Sequence, residues 1–166
     1  MKGLIISLGL LSALSIVVGV GVIQTTLSDT TTLSAETTQY ATTAVRVGDK
    51  TLNVELALTE EQQALGLGQR DALAKNTGML FVFKPAEATS FWMKDMRFNI
   101  DIIWIADGKI VDISRNVPAP EPNTEPKKLP TYSPNTAIDY ALELNAGEAE
   151  KMKVGDRVEM VYSSQV

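Results

Sequence analysis

The chain has 166 residues, 45% of them hydrophobic, which suits one domain with a real core and leaves no room to expect a second. It contains no cysteine and no histidine, so disulfides, Ser-His-Asp and Cys-His nucleophilic sites, and zinc, iron or copper held by those side chains are excluded. The net charge of −5 argues against nucleic acid as a partner; any chemistry falls to carboxylates, Lys, Arg, Tyr and Ser or to a hard cation held by oxygens, and no cofactor is expected.

Residues 4 to 23, "LIISLGLLSALSIVVGVGVI", carry no charge over 20 positions. At about 1.5 Å per residue, a helix of that length spans a hydrocarbon core of roughly 30 Å. Residues 1–23 therefore read as an uncleaved transmembrane anchor, with a cleaved export signal as the alternative. Lys2 precedes the run, and Asp29 and Glu36 are the first charges after it. The positive-inside rule then keeps the N-terminus cytoplasmic and predicts a single-pass membrane protein with its C-terminal domain extracytoplasmic, or a secreted or periplasmic domain if the segment is cleaved. Residues 24–44 are dominated by Thr, Ser and Ala and read as a linker. The globular domain is expected over 45–166, where 14 Lys and Arg face 18 Asp and Glu.

"VRVGDKTLNVELAL" reads as a hairpin: Val45 and Val47 alternate with polar residues, Gly48-Asp49 supplies the turn, and Leu52, Val54 and Leu56 resume the alternation. Thr59 with Gln62 has the pattern of a capping box, and Gly66 and Gly68 end the helix early. "GMLFVF", 78–83, is apolar on both faces and reads as a strand covered on each side. Asp107-Gly108 lies between two β-rich runs, and a type I′ turn there sets Ala106 opposite Lys109. Counting outward pairs Ile105 with Ile110, Trp104 with Val111, Ile103 with Asp112, Ile102 with Ile113 and Asp101 with Ser114. Asp101 is thereby expected where the strand emerges from cover.

Residues 116–135 hold six of the seven prolines and read as an extended solvated excursion. "DYALELNAGEAEKM" gives a strand with Tyr140, Leu142 and Leu144 on one side and Glu143 on the other, then a short helix. A turn at Gly155-Asp156 and a last strand close the chain. Short strands arriving as hairpins predict a mainly β fold: a compact antiparallel β-sandwich or barrel with one or two short helices, behind the N-terminal segment.

"SFWMKDMRFNIDIIWIADGKIV", 90–111, sets Lys94, Asp95, Arg97 and Asp101 into a stretch otherwise rich in Phe, Trp, Met and Ile, so it marks either a site or an edge. The residues met so far resemble the family catalogued as domain of unknown function 192. The likeness runs over roughly 50–160, through Gly66-Leu67 with Arg70, Gly78-Met79-Leu80-Phe81 with Phe83, Phe91-Trp92-Met93-Lys94 and Asp101. It continues through Asp107-Gly108, Tyr132-Ser133, Leu142-Glu143 with Gly147, and Gly155-Asp156. The resemblance implies a compact β-rich domain, commonly behind an export segment or anchor, and no assigned activity. Gly68, Asp95-Met96 and Asn99-Ile100 depart from the family's usual residues.

Arg70, Lys94, Asp101 and Glu143 are the charged residues within these blocks, each flanked by apolar neighbours, and they are expected to converge. A purely structural reading has Arg70 and Lys94 neutralising Asp101 and Glu143. A binding reading uses the same four as a pocket, with Trp92 as an apolar wall and Tyr132 reaching in from the proline-rich loop. A catalytic reading pairs Asp101 and Glu143 as acid and base in a glycan hydrolase of the envelope. The charges alone fit the structural reading best; for the protein as a whole the reading adopted is an anchored extracytoplasmic domain that binds a small molecule or envelope component, with no metal, and the envelope hydrolase and the purely structural interaction domain stand as alternatives. The scattered methionines read as core.

Overall fold

The computed structural model describes residues 40–161. The apolar run 4–23 and residues 24–39 of the expected linker lie outside the described residues. Among the described residues no helix is long and apolar enough to cross a membrane.

Ala41–Val47 (β1) and Lys50–Ala57 (β2) form the expected hairpin, with Val47 opposite Lys50. β1 starts at Ala41, inside the stretch read as linker. Ala41, Thr42 and Thr43 are small, but Leu56, Glu55 and Val54 lie opposite them in the ladder, and a partner strand can order a segment that lacks bulk of its own. Glu60–Leu65 (α1) has the capping box: Gln62 N donates to Thr59 Oγ1 at 3.2 Å, Thr59 N donates to Gln62 Oε1 at 3.2 Å, and Gly66 ends the helix. The remaining strands are Thr77–Glu87 (β3), Phe91–Trp92 (β4), Ile100–Ala106 (β5), Lys109–Val117 (β6), Thr131–Tyr132 (β7), Ile138–Asn145 (β8) and Val158–Val161 (β9).

The domain is mainly β with little helix, but it is neither a sandwich nor purely antiparallel. Seven strands make one mixed sheet in the order β6-β5-β8-β3-β2-β1-β9, and β4 with β7 makes a separate ribbon. β2 and β3 are parallel, with Val54 opposite Gly78 and Leu56 opposite Leu80. Parallel neighbours need a long crossover. Residues 58–76 provide it, with a helix of only six residues that gives no βαβ signal in the sequence. The sheet curls into a half-barrel whose edges meet at one end, where Ile110 N donates to Asp156 O, Gly155 N to Ile110 O and Val158 N to Gly108 O.

Two further expectations are corrected. In the β5–β6 hairpin Ala106 faces Lys109 and Ile105 faces Ile110 as expected, across a turn with positive φ at both Asp107 and Gly108. A bulge then shifts the register, so Trp104 faces Asp112, Ile103 faces Ile113 and Ile102 faces Ser114. The shift brings Ser114 within reach of Trp104, whose Nε1 donates to Ser114 Oγ at 3.0 Å. The short helix expected after β8 is instead a run of turns. Gly147 there has φ 86°, and the amides of Glu148, Glu150 and Met152 each bond three residues back.

Each face of the sheet carries its own core. The inner face of the half-barrel packs Val45, Leu52, Val54, Leu80, Ile103, Ile105, Ile110, Leu142 and Leu144, closed by Ala149 and Met152. The other face packs Ala57, Met79, Phe81, Phe83, Ile102, Trp104 and Ala141 beneath loops that contribute Leu67, Met93 and Met96. β3 and β8 are drawn close at Gly78, where a Cβ would stand 2.6 Å from Glu143 O and 2.7 Å from Leu144 Cδ2. Only glycine fits between those strands, and the backbone that it lets approach is the one that carries Glu143.

Candidate functional site

Glu55, Met79, Glu143 and Ile102 form one row across β2, β3, β8 and β5, since each is opposite the next in the ladders. Side chains opposite one another share a face. Glu143 therefore points to the face of Phe81 and Trp104, beneath the loops. It is 6% exposed, and among the described residues its carboxyl has no hydrogen-bond or ion-pair partner. Burial pushes its pKa up to about 8, against a smaller lowering by the positive charge of Arg70. Arg70 does not pair with it, because its guanidinium makes a two-pronged bond to Glu55 at 2.9 and 2.6 Å and stacks 5.5 Å from the ring centre of Tyr40.

Above Glu143 lies a cavity of about 220 Å³. The crossover forms one wall, through Leu65 and the Gly66-Leu67-Gly68 turn. Phe81 and Phe83 from β3 and Phe91 from β4 form another, and Trp92, Lys94 and Met96 close the rim. Phe91 holds the aromatic wall together, meeting Phe81 edge to face at 4.8 Å and Trp104 at 5.2 Å. Trp92 is 48% exposed and Leu65 39%, so apolar surface stands at the mouth beside the polar side chains of Gln63, Glu87, Thr89 and Ser90. Lys94 stands over Trp92, its Nζ 5.7 Å from the ring centre. The cavity thus joins an unpaired carboxyl to aromatic walls. Neutral at pH 7, that carboxyl can donate a hydrogen bond; ionised, it can take a cation. No group of three or more acidic side chains able to hold a metal ion occurs among the described residues.

Three of the six residues expected to form a site come together here: Trp92, Lys94 and Glu143. Tyr132 does not reach into the cavity. It packs on the same core beside Phe91, its backbone opposite Phe91 in the β4–β7 ribbon. The proline-rich stretch is accordingly more than a solvated excursion, since its end ties down the aromatic wall. Arg70 lines a separate shallow hollow with Glu55 and Leu73.

Asp101 lies on the opposite face of the sheet. It sits opposite Leu144, shares the inner core with Ile103 and Ile105, and is 1% exposed rather than emerging from cover. Its Oδ1 accepts from Asn116 N at 2.8 Å, and its Oδ2 accepts from Gly147 N and Ala149 N at 2.9 Å each. Backbone amides, not Arg70 or Lys94, satisfy its charge, so the expected convergence of four charges does not occur. An acid and base pair of Asp101 and Glu143 is also ruled out, because a sheet separates the two carboxyls. Sequence reasoning missed Phe81 and Phe83, read as part of a strand covered on both sides, and Phe91; the odd-numbered positions of β3, on the face of Glu143, were the available signal for the first two.

The DUF192 family model, described as an uncharacterized ACR, matches residues 42–160. No curated protein matches the chain. Among solved structures it is similar to a candidate transcription regulator from Sinorhizobium meliloti 1021, at 34% identity and a TM-score of 0.65, over 74% of this chain and 95% of that one. It is also similar to a protein of unknown function from Novosphingobium aromaticivorans DSM 12444, at 29% identity and a TM-score of 0.66, over 75% and 89% of the two chains. The row of residues that builds the cavity, from Gly66 through Phe81, Trp92 and Glu143, lies within the matched span, and the chain belongs to the DUF192 family.

Proposed function

We propose that the domain is a ligand-binding module whose site is the aromatic cavity floored by Glu143. One observation carries this reading: a carboxyl only 6% exposed, with no hydrogen-bond or ion-pair partner among the described residues, lines an accessible cavity, where desolvation works against its charged form. A purely structural role would favour a Leu or Met at that point of the row, as at Met79 and Ile102 beside it. At about 220 Å³ the cavity lies below the usual range of drug-sized sites, roughly 300–1,000 Å³, so the ligand is compact. The test is a thermal-shift screen of small aromatic and aliphatic compounds on the full chain beside Ala64→Trp, a substitution at an exposed helical position lining the cavity, chosen to obstruct it with bulk. Compounds that raise the melting temperature of the wild type and lose that effect in the variant are expected. Equal shifts in both proteins, or none in either, count against the site.

The same proposal places the module on the outer side of the cell envelope, supported by the uncharged run 4–23 behind Lys2. Protease added to intact, wall-stripped cells should then remove the domain, and full protection reverses the placement.

A further inference from the structure

We infer that the cavity recognises a compact organic ammonium ion, with the apolar part of the ligand against Phe81, Phe83 and Phe91 and its charged nitrogen on the Glu143 carboxylate. The inference rests on the binding reading above and adds the class of ligand.

Three features point to a cation rather than to an anion or a neutral acceptor. Aromatic rings present a negative face, and the walls and rim supply Phe81, Phe83, Phe91 and Trp92. The mouth already holds one ammonium group in this way, that of Lys94 on Trp92 at 5.7 Å, and among the described residues this nitrogen forms no ion pair. The polar group on the floor is a carboxyl with no hydrogen bond of its own, so nothing on the protein has to be displaced when a charged donor arrives.

The charged and titratable groups around Glu143 are few. On its own face the β2 neighbour in the row is Glu55, already committed to Arg70 from the crossover; Tyr40 lies under Arg70. The neighbours from β3 and β5 are Met79 and Ile102, which carry no charge. At the rim are Lys94 and, at the end of β3, the exposed Glu87. The guanidinium of Arg70 is held by Glu55, and its charge acts on Glu143 less than burial does; among the residues that line the cavity the one cation is Lys94, at the mouth. The long side chain of Lys94 is anchored on Trp92, not on the floor.

A proton is coupled to the event. In the empty cavity at pH 7 the carboxyl is mostly protonated, since burial raises its pKa to about 8. On binding, the carboxyl O–H releases its proton to solvent and the resulting carboxylate pairs with the ligand's N–H donors. Charge balances as one cation in and one proton out. Below the raised pKa the affinity therefore climbs about tenfold per pH unit, and above it the affinity levels off.

The probes are phenethylamine and its neutral counterpart 2-phenylethanol, measured by titration calorimetry on the full chain at pH 6, 7, 8 and 9. Each is run in two buffers of different ionisation heat. Phenethylamine is expected to bind at least about tenfold more tightly than the alcohol at pH 8. It should release close to one proton at pH 7 and almost none at pH 9, and Glu143→Gln should abolish both the preference and the release. Alcohol binding as tightly as the amine, with both blocked by Ala64→Trp, overturns the ammonium inference and leaves the binding site standing. The same holds if neither binds while other compounds from the screen do. Binding of neither probe together with an empty screen overturns both. Amine binding that survives Glu143→Gln unchanged overturns the role of the carboxylate.

Discussion

Asp101→Ala is expected to lower stability by about 4–5 kcal/mol. Three backbone amides, of Asn116, Gly147 and Ala149, converge on its two oxygens at 2.8 to 2.9 Å in a buried setting. Removing the carboxylate strands all three donors, each having lost a charge-assisted bond worth about 1.5–3 kcal/mol before any relaxation. Asp101→Asn is the variant to measure if the alanine form fails to fold. It keeps one accepting oxygen and turns an NH2 group toward the amides, so a loss of about 2–3 kcal/mol is expected. Urea unfolding of the three proteins checks this. A midpoint for Asp101→Asn equivalent to within about 0.5 kcal/mol of wild type shows that water, not Asp101, satisfies those amides.

Stability itself should fall as pH rises from about 5 to about 8, because of Glu143. Its folded pKa of about 8 lies above the unfolded value of 4.5. Between those two values the unfolded chain has released this proton and the folded chain has kept it. The folded state therefore binds more protons, and each step up in pH favours unfolding. The contribution is fully present below pH 4.5 and lost once pH passes through the folded pKa. Over pH 5 to 8 the loss is on the order of 3 kcal/mol from this group alone. Glu143→Gln has no proton to lose, so the difference between variant and wild type, followed by urea unfolding at several pH values, isolates the effect from the other carboxylates. The variant should gain on the wild type steadily toward pH 8. A difference that stays constant with pH means that Glu143 is ionised in the folded protein, with solvent or a partner stabilising its charge.

Much of the local architecture was legible because it depends on residues close in sequence. Thr59 with Gln62, Gly48-Asp49 and Asp107-Gly108 each specify a cap or turn within four residues, and each is found where expected. Glu143 was assigned to the face opposite Tyr140, Leu142 and Leu144 by simple alternation, and that also holds. What failed depends on pairing between distant strands. Two-residue alternation places a side chain on one of two faces, but it cannot say which face of one strand continues which face of the next. Asp101 and Glu143 were assigned together on their character as charges among apolar neighbours. The ladder sets Asp101 beside Leu144 and Glu143 beside Ile102, one residue out of phase, and a one-residue offset reverses the face. The bulge between Trp104 and Ile105 altered the counted register in the same way, with no residue type to announce it. The parallel pairing of β2 with β3 was hidden because its crossover is mostly loop.

An open sheet offers other chains a strip of unpaired backbone on which to add a strand, and β6 is such a border strand. Here both ends of that strip are occupied. Near the hairpin, Ile110 exchanges backbone bonds with Gly155 and Asp156. Toward the other end the Arg115 guanidinium holds the carbonyls of Ala149 and Met152, fastening the turns after β8 alongside. The domain therefore screens its most apolar hairpin from recruitment into intermolecular β-structure without closing its barrel, and a single arginine serves as the guard at the far end.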